Sequence, residues 1–594
     1  MIASTHPFKV ESLPMNVFLK PFKFSHIVQK SEALPILTLL GFFVGISSGL
    51  LLLGVKYTID APLSAFLFSS ENYEALSNWN RFLLVFGGSI VIALIWNQLP
   101  IQNHKIGVPH VIETIQNNGG RLPAKNIFVQ YIGSLLALWS GQSVGREGPS
   151  IHIGAGLASI IGQKLELPNH SIQVLVGCGV AGAIAAVFNA PLAGVIFAME
   201  IILVEYSITW AVPIMASAFT AALVSQGLWD GDFSFSGAGA NAELNSLVDI
   251  PWLIALGLVI GAAAALFNAL IRFGLRFRHM SVLIRFPLAG LLTASVAFWI
   301  PEVMGTGYDT ISNTLGNQYS IWVLLMIFTA KLLITAGVIG LGMPAGLIGP
   351  TLVIGGTLGG IAAYGINALT SGTVSNIDIF VLIGTSAMMS AVLQAPITAL
   401  ITVLEFSSNT AMLFPAMIAI IIANLTCRTI FKQPSIFISI LQVQGMAQFS
   451  SPISRALREM NAIEFGFPNT MPLLEVIKPE NLSLLIQSHD YLLFKKNDRI
   501  FTLESHIASQ LLEQELSLIE NESMSDEYEI DTQTWVNDQN ELIWLPLHST
   551  LDQVLRAIQG RNLAGVWLSK AESAHPHSIL PKRHLIELIT KIGE

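Results

Sequence analysis

Long apolar runs recur along the chain, each closed by a short polar or Gly/Pro-rich stretch, and this pattern sets the expected elements. Ala33 to Val55 carries no charge and is long enough to cross a bilayer, which takes about 20 apolar residues. Further spans are expected to begin near Phe82, Asn126, Ile172, Trp210, Trp252, Phe286, Ile321, Leu332, Ile379 and Phe406. The stretch from Leu332 to Ile377 contains no Asp, Glu, Lys or Arg and is too long for one perpendicular helix, so it must fold into two or more pieces. Several runs are broken by Gly and Pro, as at GLGMPAGLIGP (340–350). In hydrocarbon such a break persists only where protein or a watery cavity covers it, as at transport sites. An ordinary Gly-rich packing helix is the competing reading of any one break.

Composition agrees with a polytopic membrane protein: 52% of residues are apolar and 12% charged, and the mean hydropathy is +0.61. Residues 1–32 hold four lysines against two acids and read as a cytoplasmic leader by the positive-inside bias. The membrane region is expected as two halves, 33–240 and 250–445. After about Gly445 charges become frequent and apolar runs shorten, so 446–594 is expected as a cytoplasmic domain. Within it, the acidic stretch 513–533 is expected as a solvated linker. Cys178 and Cys427 stand alone in apolar surroundings, which points to buried, reduced thiols rather than metal ligands. No metal or other cofactor is expected. The net charge of −9 gives no sign of nucleic-acid binding.

Self-comparison changes the picture most. GREGPSIHIGAGL from Gly145 aligns without gaps to GLIGPTLVIGGTL from Gly346, 201 residues on. Downstream, AVFNAPLAGVIFAME (186–200) aligns with AVLQAPITALITVLE (391–405) at an offset of 205, and both copies place a glutamate nine residues after Ala-Pro. Two ordered matches at nearly one offset indicate an internal duplication of the kind transporters contain. Each copy has the chemistry of a helix start, with glycines that admit close approach and a proline suited to the first turn. Free N–H groups and the helix dipole there favour an anion. The copies differ at the key positions: Arg146 aligns with Leu347 and Glu147 with Ile348. Glu147 is then a resident anion competing for the site. A simple salt bridge from Glu147 to Arg146 is the bland reading, and adjacent residues at a helix start do not readily face one another.

These residues give the chain a clear resemblance to the CLC family of chloride channels and proton/chloride antiporters, over roughly residues 30–445. GREGP (145–149) resembles that family's gating motif, GLIGP (346–350) its second anion-binding loop and IGVP (106–109) the end of its first; FNAPLAG (188–194) and the Glu405 region also fit. The resemblance implies an all-α polytopic fold of two inverted repeats of tilted, interrupted helices, a homodimer with one pore per subunit, and transport of chloride or a similar anion across a lipid bilayer. By position it makes Glu147 the gating glutamate. Ile106, Gly107, Val108, Pro109, Gly145, Arg146, Gly148, Gly346, Leu347 and Ile348 become lining of the anion path. Low dielectric works against the charged Glu147 and surrounding amides work for it. Protonation would therefore release it and admit an anion.

Three positions depart from the family pattern. Ile106 stands where a serine is common, and Phe437 where a tyrosine usually supplies a second hydroxyl, so central binding would rest on backbone amides. Ile201 follows Glu200 where antiporters often carry an internal proton-relay glutamate, which leaves that relay position lost. Glu200 and its repeat partner Glu405 read as structural. His110, His152 and Lys105 also stand out; His152, five residues after Glu147, reads as packed or hydrogen-bonded. Lys105 could concentrate anions at a vestibule or simply be solvated.

In the tail, 549–589 reads as helix, strand, hairpin-like connection, strand, helix, and resembles one CBS motif; 471–512 reads as its partner. The family's ribose-binding aspartate has His584 in the corresponding region, which speaks against nucleotide binding. An intramembrane enzyme is the remote alternative, against which stand the lack of HExxH, of paired intramembrane aspartates and of a convincing Ser/His arrangement. The expectation is a multi-pass protein of a bacterial inner membrane with both termini cytoplasmic. It would exchange chloride for protons under control of Glu147, a gated anion channel being the alternative.

Overall fold

The computed structural model describes residues 33–67, 72–228, 249–369, 377–444, 457, 460–468, 476–497, 499–522, 530–547, 549–559, 561, 563–569 and 577–593. The expected leader and parts of the expected repeat ends and linker lie outside these. Contacts divide the chain into two units, 1–447 and 448–594.

Among its described residues the first unit has helices and no strand. In chain order its helices are α1 (Ala33–Leu67), α2 (Asn78–Gln98), α3 (Gly107–Asn118), α4 (Ala124–Trp139), α5 (Glu147–Lys164), α6 (Asn169–Phe188) and α7 (Pro191–Phe197), the last continued by a π-helical turn, Ala198–Leu203. Then come α8 (Ile208–Leu228), α9 (Ile250–Leu275), α10 (Val282–Ala297), α11 (Tyr308–Leu315), α12 (Ile321–Gly340), α13 (Ile348–Leu369), α14 (Ile377–Leu393), α15 (Pro396–Ser407), α16 (Leu413–Leu425) and α17 (Ile436–Val443). Eight helices among the described residues are long and apolar enough to cross a bilayer. The protein is a multi-pass membrane protein.

The charge-free run from Leu332 does split, into the end of α12 and the whole of α13, with the break at the Gly/Pro-rich 341–347. One expectation is corrected. Ile321 and Leu332 begin one helix, not two, because nothing between them interrupts backbone pairing and the intervening Lys331 is satisfied internally. α1 contains the charge-free span Ala33 to Val55 and continues to Leu67, past Lys56, Asp60 and Pro62; those two charges face protein, not lipid.

The duplication is visible as packing. α5 crosses α6 where Gly154 meets Gly179: a Cβ on Gly154 would lie 2.5 Å from the Gly179 carbonyl oxygen. α13 crosses α14 at the aligned pair Gly355 and Gly384, where the same substitution would meet the Gly384 carbonyl oxygen. Small residues let backbones approach in lipid, where no hydrophobic force drives helices together. α6 is apolar all round, and most of it is buried.

The second unit is α/β. Six strands form one sheet in the order β1 (Phe467–Pro468), β8 (Ser578–Pro581), β7 (Gly565–Ser569), β6 (Glu541–Pro546), β4 (Arg499–Glu504), β3 (Tyr491–Lys496). Only β6 and β7 pair in parallel within this sheet. β2 (Val476–Ile477) and β5 (Ile530–Asp531) pair separately. The segment 549–589 folds as helix Leu551–Ile558, β7, β8 and helix Lys582–Gly593, with the connection 570–576 outside the described residues. The expected acidic linker is corrected over its first half. Helix Ser505–Glu522 runs through it because Ala508 and Leu512, one turn apart, are buried in the apolar cluster of β3 and β4, and Glu515 accepts from Trp535 Nε1 at 3.0 Å.

Candidate functional site

Two interrupted helices meet at the aligned glycines. Gly145 N donates to the Gly346 carbonyl at 2.7 Å and Gly346 N to the Gly145 carbonyl at 2.8 Å, an antiparallel bridge two residues ahead of both α5 and α13. A Cβ on Gly346 would lie 2.8 Å from Gly148 N, so the loops touch through backbone alone. Gly145, Arg146, Gly148, Gly346, Leu347 and Ile348 are thereby brought into one cluster around Glu147.

Glu147 is fully buried at 1% exposure. Its Oε2 accepts from the Gly349 backbone N–H at 2.9 Å, so the carboxylate of the first repeat occupies the anion-favouring helix start of the second. Its Oε1 accepts from the hydroxyl of Tyr308, the first residue of α11. Arg146 turns to Asp60 of α1 at 3.7 Å, and its guanidinium lies 5.4 Å from the centre of the Tyr308 ring.

Tyr308 was not among the residues singled out from the sequence. Gly349 falls within the 346–350 loop expected to bind the anion, one residue past Ile348. Tyr308 belongs to no motif and reaches Glu147 across 161 residues. What holds Tyr308 is Lys331 of α12. This fully buried lysine donates from Nζ to the carbonyls of Val303 (3.1 Å), Met304 (3.2 Å) and Gly305 (2.9 Å), in the loop that leads into α11. Gly307, with φ +81°, then turns the chain into the helix in a conformation that favours glycine.

The residues of the first loop form a different group. Gly107 has φ +77° and opens α3, with Ile106 just before it and Val108 and Pro109 buried in its first turn. Phe437 is buried on α17, which packs against α3. His110 of this turn and His152 of α5 share a hydrogen bond, Nδ1 to Nε2, at 2.9 Å, both buried. Lys105 is paired with Glu113 of α3 at 2.7 Å, which offsets the charge it offers to solvent.

A cavity of about 20 Å³, room for about one water, leads away from Glu147. Phe188, Ile348, Met389, Thr398 and Thr402 are among its walls. Beyond it the Thr398 hydroxyl donates to Glu200 Oε2 at 2.6 Å, and Ile397 N and Thr398 N donate to the same carboxylate at 3.2 and 2.7 Å. Glu200 therefore caps α15. Glu405, at the far end of α15, caps α7 by accepting from Leu192 N and Ala193 N, each at 2.8 Å. Ile201 is buried and apolar beside Glu200. Both cysteines are buried and free.

Comparison with known proteins agrees with this architecture. The family described as voltage gated chloride channel matches residues 87–428, more than half of the chain. The chain is similar to a ClcB-like protein of Ralstonia nicotianae, 27% identical over 365 residues that cover 59% of this chain and 83% of that protein. It is similar to the H(+)/Cl(-) exchange transporter ClcA of Yersinia pestis, 28% identical over 334 residues, 52% of this chain and 66% of the relative. The protein of the same name from Vibrio campbellii is 27% identical over 381 residues, 61% of this chain and 80% of the relative. Among solved structures, a slow cyanobacterial Cl−/H+ antiporter shares the fold with TM-score 0.61 at 19% identity, over 70% of this chain and 98% of its own. A eukaryotic CLC transporter gives 0.59 at 17% identity, over 93% of this chain and 98% of its own. A CLC-type fluoride/proton antiporter gives 0.58 at 21% identity, over 69% of this chain and 98% of its own.

Proposed function

The chain belongs to the voltage gated chloride channel family, and on that footing we propose that it exchanges chloride or a similar small anion for protons across a bilayer, with Glu147 as gate and proton carrier. The observation that carries the reading is the Glu147 carboxylate seated on the Gly349 amide, an anion of the protein's own in a seat that suits a free one. Protonation removes the charge for which that seat is built, the side chain leaves, and an anion enters. The transfer of a proton onward is supported by the water-sized cavity that Glu147 and Thr398 both line, the Thr398 hydroxyl being bonded to Glu200. It is supported also by the relatives named as exchange transporters.

The anion path draws on the amides of 145–148 and 346–349, with 106–109 and Phe437 as a second, amide-lined section. The working unit is a homodimer in a bacterial inner membrane with both termini in the cytoplasm, and the CBS-like tail supports the dimer without binding nucleotide. Resident metal or organic cofactors play no part; the bound species are the transported anion and the proton.

A gated channel without proton coupling is the second reading, favoured by one observation: the buried Ile201 offers no proton acceptor. Anion efflux from proteoliposomes, recorded together with extravesicular pH, separates the two. Exchange predicts that an imposed chloride gradient drives protons uphill. Chloride flow with no proton movement would reject exchange and leave the channel.

A further inference from the structure

We infer that the Tyr308 hydroxyl is the donor that changes acceptors at this gate: it holds the ionised Glu147 in the anion seat and, once Glu147 has left, donates to the transported anion that replaces it. This rests on the reading of Glu147 as the gate. From other residues, the Glu147 carboxylate accepts hydrogen bonds from the Tyr308 hydroxyl and from Gly349 N. One is a side chain and the other is backbone, so Tyr308 is the donor that sequence can vary. Ile106 and Phe437 bring no hydroxyl to the first-loop group, which leaves Tyr308 as the hydroxyl donor at the seat itself.

The position is built rather than incidental. Tyr308 is buried at 6% exposure, its ring faces Phe188 edge-on at 6.3 Å and lies under Arg146, and Lys331 fixes the loop before it through three carbonyls. When the carboxylate departs, the phenol O–H is released from Glu147 Oε1 and is placed to donate to whatever takes its place at Gly349 N. An anion arriving at Gly349 N meets that donor already aimed. The geometry thus gives the seat one fixed amide and one hydroxyl, in turn for Glu147 and for the anion.

The charged groups around it are Arg146, directed to Asp60 with Lys56 also on α1, and Lys331 behind Tyr308. Around the cavity beside Glu147, α6, α13, α14 and α15 contribute the uncharged Phe188, Ile348, Met389 and Thr398. Tyr308 is therefore the neutral hydrogen bonder whose removal alters the gate without changing charge.

The test uses the full chain in proteoliposomes with chloride as the probe. In Tyr308→Phe, the ionised carboxylate loses a donor, so the pH at which efflux is half-activated rises by about one unit, a tenfold change in proton affinity. Combined with Glu147→Gln, which empties the seat of charge, Tyr308→Phe raises the half-saturating chloride concentration roughly tenfold, the loss of one hydrogen bond to an anion. A singly fluorinated tyrosine at 308, a stronger donor of nearly the same shape, moves the half-activation pH down, and it serves if Tyr308→Phe does not fold. Unchanged half-activation pH and unchanged half-saturating chloride in these variants overturn the inference. A Glu147→Gln protein that keeps the full pH response overturns instead the gating reading on which it rests.

Discussion

Glu200, in the π-helical turn that continues α7, caps α15, and Glu405, in the last turn of α15, caps α7. α7 and α15 are thus locked head to tail, each supplying the anion that the other's exposed N–H groups require. Glu405 shows that a carboxylate in this membrane region can be structural, and it isolates what differs at Glu147: a partner set split between a backbone amide and a side chain from a third element.

Replacing Glu405 by Ala leaves Leu192 N and Ala193 N without acceptors. The expected loss is about 2 kcal/mol, read as a fall of a few degrees in thermal unfolding in detergent. The pH dependence of anion flux should persist. An unchanged melting temperature would reject the capping role.

Glu147→Gln removes the titrating charge from the seat while keeping its size. Efflux should become independent of pH and lose all coupling to protons, measured with paired chloride and pH electrodes. Below the range in which wild-type Glu147 becomes protonated, mutant and wild type should conduct alike.

The crossings of α5 with α6 and of α13 with α14 tolerate no side chain. Gly154→Ala and Gly355→Ala should each cost about 1 to 3 kcal/mol, because the added methyl meets a carbonyl oxygen of the facing helix. Gly87→Ala in α2 meets nothing within 4 Å and should stabilise by about 0.5 to 1 kcal/mol through helix propensity alone. Melting temperatures of the three variants check both signs at once.

Lys331→Met keeps the length of the stem and removes the donor to Val303, Met304 and Gly305. A loss of about 2 to 4 kcal/mol is expected, with three buried carbonyls deprived of a charged partner. Because the same loop delivers Tyr308, the half-activation pH should shift in the direction given by Tyr308→Phe. Stability loss with an unmoved pH profile would separate the lysine from the gate.

What the sequence disclosed followed from local rules. The breaks at 145–149 and 346–350 were legible because Gly and Pro interrupt apolar runs, and their pairing because the two halves still align. Glu147 drew attention as a charge where its repeat partner Ile348 has none. Tyr308 left no such trace. A tyrosine at the head of a short helix is ordinary, and only the folded path of the loop before it carries the hydroxyl to Glu147. Lys331 was hidden in the same way, since a lysine beside a long apolar run looks like a helix end until three carbonyls are seen to surround it. The capping roles of Glu200 and Glu405 were half visible: their alignment marked them as a pair, but that each serves the other's helix required the two repeats to be placed face to face.

The bridge between Gly145 and Gly346 pairs each glycine with its own counterpart in the other half, and an antiparallel pair of equivalent residues lies on a local two-fold axis. The bridge therefore marks the axis that relates the two halves of one polypeptide. Across that axis the two helix starts are alike in backbone and unlike in side chain, Glu147 standing where its counterpart is Ile348.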